Sequence, residues 1–414
     1  MEHNRKLYAR NYYPWLVVIC CCGMLTASFG VPVYCAGIFY VPIAKTLGAK
    51  LGEVALLLTI MNITHGLLSP VVIKLCRKTD MRIMSGISMI GISLGFFVLS
   101  RVTAVWELYI GAFFIGVFCA FSGLAVVPVI IGNWFHKKNG LAIGITHCVS
   151  GLAGAVMAPA LKRIIDVSGW RNAYVCVAVL SFIVLVPAVV FIRFRPEEKE
   201  LLPYGFSGDP VSYDIAEKDG MHNQPASTFT IGKLLTVCLI AFLATFGPGF
   251  GVHMSGFTES IGIASSVSAI LYSVGLIGGT VSKLFTGVSC DRIGAGKTCI
   301  LIMALTVIGL CMCMVLPARL IPLFVLAALL IGIGTSMSGV GVVAITKHVF
   351  GPREFGRAFA WVSIAAAVGS SSSGIVGFMV DRFSSYIPAV ILCAAFGVVA
   401  AVLIYVICRE PATS

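Results

Sequence analysis

One basic residue stands where charge is costly. Lys283 lies inside the apolar stretch 266–288, near the depth of a bilayer's midplane. A charge there costs roughly 2.5–3.5 kcal/mol on insertion scales. An ammonium at that depth has one evident chemistry, the neutralisation and orientation of an anion. Gly287 follows one turn later, and the stretch ends in Asp291-Arg292 before Gly294. The plainer reading is a lysine that snorkels to an interface. It is weakened because Lys283 lies about two helical turns in from Asp291, too far to reach the headgroups there easily.

Other residues are candidates for the same site, each against a packing alternative. Tyr34, Tyr272 and Trp361 would shape a cavity around an organic acid, although aromatics in membrane helices usually pack. Ser371, within the run Ser370 to Ser373, would hydrogen-bond a substrate or simply let helices approach closely. His65 lies mid-stretch beside Asn62 and Thr64, His147 and His253 in other stretches. Histidine can relay protons near neutral pH, and a lone histidine is more often a hydrogen-bonded packing residue. His65 leads by depth. Glu53, Glu107 and Glu259 fall near helix ends, so no carboxylate stands clearly mid-membrane. Lys283 itself is then a candidate proton carrier. Gly247-Pro248-Gly249 predicts a kink and a gating hinge.

The elements that must position these residues follow from composition. Of 414 residues, 58% are hydrophobic and 11% charged, against about 25% charged in soluble domains. Charges are bunched between apolar runs of a length that crosses the hydrocarbon core as a helix. The expected fold class is an all-α membrane protein. Twelve spans are predicted, at 14–40, 52–74, 82–100, 105–131, 140–163, 171–193, 231–258, 266–288, 297–316, 320–346, 356–379 and 386–408. They group as a six-helix bundle over 1–193, a cytoplasmic linker over 194–230 and a second six-helix bundle over 231–414.

The net charge of +12 does not imply nucleic acid, because basic residues gather at the ends of apolar runs. With both termini cytoplasmic, Arg77, Lys78, Lys137, Lys138, Arg292, Lys297, Lys347 and Arg357 all fall inside, as positive-inside sorting requires. Landmarks also recur: Gly140-Leu141-Ala142 as Gly356-Arg357-Ala358, and Asp166 as Asp381, at a nearly constant offset. Such duplication is common in transporters. On that offset Asp291-Arg292 aligns with Cys76-Arg77, so the first half has lost its acidic copy. Fifteen cysteines, mostly within spans and without a CxxC pair, read as buried thiols rather than metal ligands or disulfides. No metal, cofactor or catalytic constellation is expected.

The pattern Gly287-x-x-x-Asp291-Arg292-x-Gly294-x-Gly296-Lys297 resembles the inner-loop signature of the major facilitator superfamily, and the six-plus-six organisation is similar over nearly the whole chain. Asn133-Trp134-Phe135 with Lys137-Lys138, Gly169-Trp170-Arg171, Arg195-Pro196-Glu197-Glu198 and Pro203-Tyr204-Gly205 resemble the monocarboxylate-porter and oxalate–formate-antiporter branch. The resemblance implies that Lys283 stands where that branch has a carboxylate-binding arginine. It implies that Gly279 replaces the acid of the proton-coupled porters, and that Tyr34 is the nearest match to their first-span lysine. It gives Asp291, Arg292 and Gly287 the role of a conformational latch.

The resulting expectation is a monomeric multi-pass carrier in the cell membrane, moving a small organic anion, above all a monocarboxylate, by alternating access. Proton coupling stays open. The alternatives are a proton-independent organic-anion exchanger and a membrane receptor for an organic acid that does not transport it.

Overall fold

The computed structural model describes residues 2–49, 51–205, 230–317 and 319–409. Most of the expected linker, 206–229, lies outside them. Among the described residues the chain is helical almost throughout, and its only β contact is an isolated bridge between Phe135 and Tyr204. Helices close their own backbone hydrogen bonds, which lipid cannot do for them. Many large apolar side chains point outward, among them Ile90, Leu94, Phe285 and Phe378. That is the surface a hydrocarbon solvent requires.

Ten helices among the described residues are long and apolar enough to cross a membrane, where twelve spans were expected. Two places account for the difference. The expected spans 140–163 and 171–193 run together as Asn139–Phe191, 53 residues, which breaks at Gly169 with φ 83° and ψ 162°. That positive φ is open to glycine and strained for other residues. The expected span 105–131 is divided into Val105–Ala120 and Val126–Trp134, each too short to be counted. The stretch Val342–Ser370 turns in the same way at Gly351, with φ 69°.

Several apolar stretches lose α-helical register midway. The first does so at Thr26–Gly30, which widens into a π-helical turn, and another at Met337–Gly341. Ile231–Phe246 gives way at Gly247–His253 to a tighter 3₁₀ turn, at the Gly-Pro-Gly expected to kink. Side-chain hydroxyls bond the carbonyls at these breaks. The Ser28 hydroxyl lies 2.7 Å from the Met24 carbonyl oxygen and 3.1 Å from that of Ser122. Ser372 donates to the Phe246 carbonyl oxygen across 2.9 Å.

One large apolar core runs from Val17 to Ile407, and a second, smaller one is made wholly from residues 246–393, around Phe250, Phe257 and Phe324. The fifteen cysteines are all free thiols.

Candidate functional site

The site is built where the helix Ser265–Ile293, here the lysine helix, crosses the first part of Asn139–Phe191. Glycines bring the two backbones together. A Cβ on Gly287 would collide with the Gly140 carbonyl oxygen. One added to Gly144 would lie 2.9 Å from the Lys283 carbonyl oxygen, and one added to Gly151 would lie 2.9 Å from the Thr280 hydroxyl. Small residues are what allow membrane helices to pack this closely. The lysine helix is held on another side by Thr286, whose hydroxyl donates to Ser336 at 2.9 Å.

In this seam Lys283 is 3% exposed. Its Nζ donates to the Tyr34 hydroxyl at 2.5 Å and stands 5.2 Å from the centre of that ring. Tyr34 is fixed by packing its Cβ on Gly154 and its ring edge-on to Phe29, 5.7 Å between centres. Ion pairs among the described residues include Asp80 with Arg82, Asp166 with Lys162, Glu198 with Arg193 and Glu354 with Arg357. None of these carboxylates neutralises Lys283. A buried ammonium facing a neutral phenol retains unspent capacity for an anion.

Gly279, where the resemblance led one to look for an acid, has no room for one. A Cβ there would meet the Thr335 hydroxyl and lie 3.0 Å from the Gly332 carbonyl oxygen. The missing carboxylate therefore follows from close packing of the lysine helix on Ile321–Gly334.

At its far end the lysine helix carries Asp291. Both carboxylate oxygens accept backbone hydrogen bonds, Oδ1 from Gly140 N and Oδ2 from Leu141 N, each at 2.9 Å. These amides open the helix that begins at Asn139, so the carboxylate sits on a helix N-terminus, where negative charge is favoured. Lys347 stands within electrostatic reach of Asp291, and Arg292 is exposed. Arg77 and Gly356, which the sequence offset aligns with Arg292 and Gly140, also meet: a Cβ on Gly356 would lie 2.6 Å from the Arg77 Nη2.

The other sequence candidates scatter. Tyr272 lies within electrostatic reach of Tyr34, and it lines a small cavity with Pro248, Met254, Leu271 and Gly275. His65 lines a separate small space with Ser28, Asn62 and Cys119, and its buried Nε2 has no hydrogen-bond partner among the described residues. Trp361 is 54% exposed. Ser371 closes on its own helix, donating to the Ala367 carbonyl oxygen at 3.1 Å. His147 instead comes to the seam, buried at 1% exposure and within electrostatic reach of Lys283. The signal for it was the row Gly140, Gly144, His147, Gly151 and Gly154, spaced so as to share one helix face.

The Major Facilitator Superfamily profile matches residues 20–258 and again 234–414. The chain belongs to that superfamily. Among curated relatives of this superfamily member, the "Uncharacterized transporter ESBP6" of Saccharomyces cerevisiae is 23% identical, over 95% of this chain and 59% of the yeast protein. This chain thus spans about three fifths of that relative's length. "Monocarboxylate transporter 12" of Xenopus laevis is 24% identical, over 91% of this chain and 85% of its own. A crystal structure of double-Trp mutants of XylE superposes with a TM-score of 0.73 at 12% identity, covering 98% of both chains. That likeness bears on the fold alone, an all-α, multi-spanning arrangement consistent with the superfamily.

Proposed function

We propose that this superfamily member is a secondary transporter that moves a small organic anion, above all a monocarboxylate, by alternating access. The observation that carries the reading is Lys283: buried and, among the described residues, bonded to a phenol alone with no carboxylate to neutralise it. A monocarboxylate brings one negative charge, the charge this cation lacks.

In this reading residues 1–193 and 231–414 form two six-helix bundles joined by 194–230. The twelve spans comprise the described helices, with Asn139–Phe191 read as two spans divided at Gly169, and Val105–Ala120 with Val126–Trp134 read as one. Both termini lie in the cytoplasm. Lys283 and Tyr34 then belong to opposite bundles, and their bond spans the interface around which the bundles rock. The Asp291 carboxylate on the Gly140 and Leu141 amides latches the cytoplasmic side, so the conformation described has that side closed. Loading from outside would place an anion beside Lys283; release inward requires the glycine-lined seam to part.

Proton-independent exchange is the second reading, and the packing at Gly279 favours it. The acid that couples protons in the resembling porters has no space here. An exchanger needs only a cation that must be neutralised before the bundles reorient.

The test is uptake by proteoliposomes holding purified protein, with labelled lactate, pyruvate, formate and oxalate, with and without a pH gradient or internal anion. Saturable uptake by the unsubstituted protein, lost in Lys283→Met, is the expected result. Stimulation by a pH gradient selects symport, and stimulation by internal anion selects exchange. Equal uptake by both proteins removes Lys283 from the site. Saturable binding without uptake would identify a receptor.

A further inference from the structure

We propose that His147 is a second substrate-binding residue, hydrogen-bonding a further oxygen of the anion whose carboxylate is held by Lys283. The inference rests on the anion-carrier reading and deepens it by assigning a substrate feature to a named group.

His147 is almost wholly buried, and its Nε2 has no hydrogen-bond partner. Buried polar atoms are nearly always bonded, so an orphan calls for an explanation. Its neighbours supply one. Gly144, three residues before it, touches the backbone of Lys283 and Leu284, and Gly151, four residues after it, touches Thr280. His147 is therefore level with the turn of the lysine helix that carries Lys283. Behind the ring stands Gly339, in the π-helical turn Met337–Gly341. A Cβ there would lie 2.7 Å from Nδ1 and 2.9 Å from Cε1. Bare backbone thus fixes one edge of the imidazole and leaves Nε2 as the atom with free valence. Tyr34, His147 and Lys283 come from three helices, and an anion bonded to Lys283 lies within the seam that holds the orphan.

A neutral imidazole nitrogen is either one donor or one acceptor. A hydroxyl beside the carboxylate can meet either form, and a carbonyl oxygen can meet the donor. A plain alkanoate can offer Nε2 only its carboxylate oxygens, which Lys283 already engages, and nothing at all if Nε2 is the acceptor. Sites built to bond a substrate group discriminate strongly against analogues that lack it. The substrate class indicated is a carboxylate with a second oxygen one or two carbons away.

The experiment compares kcat/KM in proteoliposomes for lactate against propionate, and for 3-hydroxybutyrate against butyrate. The proteins are the unsubstituted chain, His147→Leu, His147→Gln and Gly339→Ala. The unsubstituted chain is expected to prefer at least one hydroxylated acid by about tenfold, the worth of a typical buried hydrogen bond. His147→Leu should bring that ratio to near one, mainly by raising KM for the hydroxy acid. His147→Gln, which keeps an amide near the Nε2 position, should recover part of it. Gly339→Ala, whose methyl meets the ring, should lower it. An unchanged ratio in His147→Leu, with uptake still lost in Lys283→Met, overturns this inference alone. Absence of carboxylate uptake by the unsubstituted protein overturns it together with the reading beneath it.

Discussion

Lys283 Nζ and the Tyr34 hydroxyl lie 2.5 Å apart although 249 positions separate them in the chain. The pair ties two distant stretches of chain with a bond that is strong yet neutral on one side. An ammonium has three donors, so Tyr34 occupies one and leaves two for a carboxylate. Tyr34→Phe keeps the ring packed on Phe29 and removes only the acceptor. Its expected effect is a KM raised about tenfold with a smaller change in kcat, in keeping with about 1.5 kcal/mol for a hydrogen bond to a charged group. Uptake kinetics in proteoliposomes decide it; an unchanged KM would show that the hydroxyl does not hold Lys283 in the loaded state.

Asp291 and Gly287 act on the same seam from different directions. Asp291→Asn keeps the size of the cap and removes its charge from the helix N-terminus, a loss of about 1 kcal/mol. Gly287→Val drives a side chain into the Gly140 carbonyl and should open the seam further. Both variants are expected to expose the contact between Gly144 and Leu284. Maleimide labelling of a Leu284→Cys variant, in a background without other cysteines, should speed up several-fold with Asp291→Asn and more with Gly287→Val. Equal rates in all three backgrounds would mean that the contact does not control the opening.

Much of this arrangement was legible in the residues themselves. A lysine in an apolar run declares itself, and so does Asp291 at a helix end, because charge in lipid is too costly to be incidental. Gly247-Pro248-Gly249 announced its break through backbone chemistry. Contacts across helices were less legible. His147 looked like any lone histidine until Gly144 and Gly151 were seen against Lys283 and Thr280, since its depth and its orphaned nitrogen depend on which face meets which helix. His65 looked the stronger histidine by depth alone, and it lines a different space. Trp361 is exposed, and apolar sequence does not distinguish a lipid-facing aromatic from an inward one. The turn that divides Val105–Ala120 from Val126–Trp134 lies in apolar sequence without a glycine–proline pair, so hydropathy ran straight through it.

Asp80 offers a test of pH dependence away from the membrane interior. Its carboxylate caps the helix Met81–Leu99, accepting from Arg82 N at 2.9 Å and from Arg82 Nη2 at 2.6 Å. The Arg82 side-chain hydrogen bonds hold its carboxyl below the usual carboxylate range, against a smaller opposing effect of burial. A folded pKa depressed in this way stabilises the protein above the unfolded value, about 3.9. That stabilisation is lost as pH falls through the folded pKa. Asp80→Ala should therefore cost about 1 kcal/mol, as for other lost caps, equally at about pH 7 and about pH 5. The difference between variant and unsubstituted protein should shrink as pH falls below about 4 and through the depressed folded pKa. Thermal unfolding of the two proteins in detergent checks it, and a gap that widened on acidification would contradict the sign.

The break in Ile231–Phe246 and the end of Val342–Ser370 are tied to each other. Ser372 donates to the Phe246 carbonyl oxygen at 2.9 Å, and the Thr245 hydroxyl, 2.8 Å from the Ala241 carbonyl oxygen of its own helix, also lies 3.1 Å from the Ala366 carbonyl oxygen. Phe246 is the last α-helical residue before the Gly-Pro-Gly turn. Ser372 supplies a bond to its carbonyl, where the α-helical register ends. Removing it with Ser372→Ala leaves a buried acceptor with less than its due, at a cost of about 1–2 kcal/mol. In a chain of this length that corresponds to a Tm lowered by about 1–3 °C. Thr245→Val loses the second tie, and because the two bonds brace the same pair of helices, the double variant should fall short of additivity by about 0.5 kcal/mol or more. Thermal unfolding of the two single variants and the double measures that coupling. Strict additivity would mean that the two hydroxyls repair separate defects and that the paired breaks do not move as one joint.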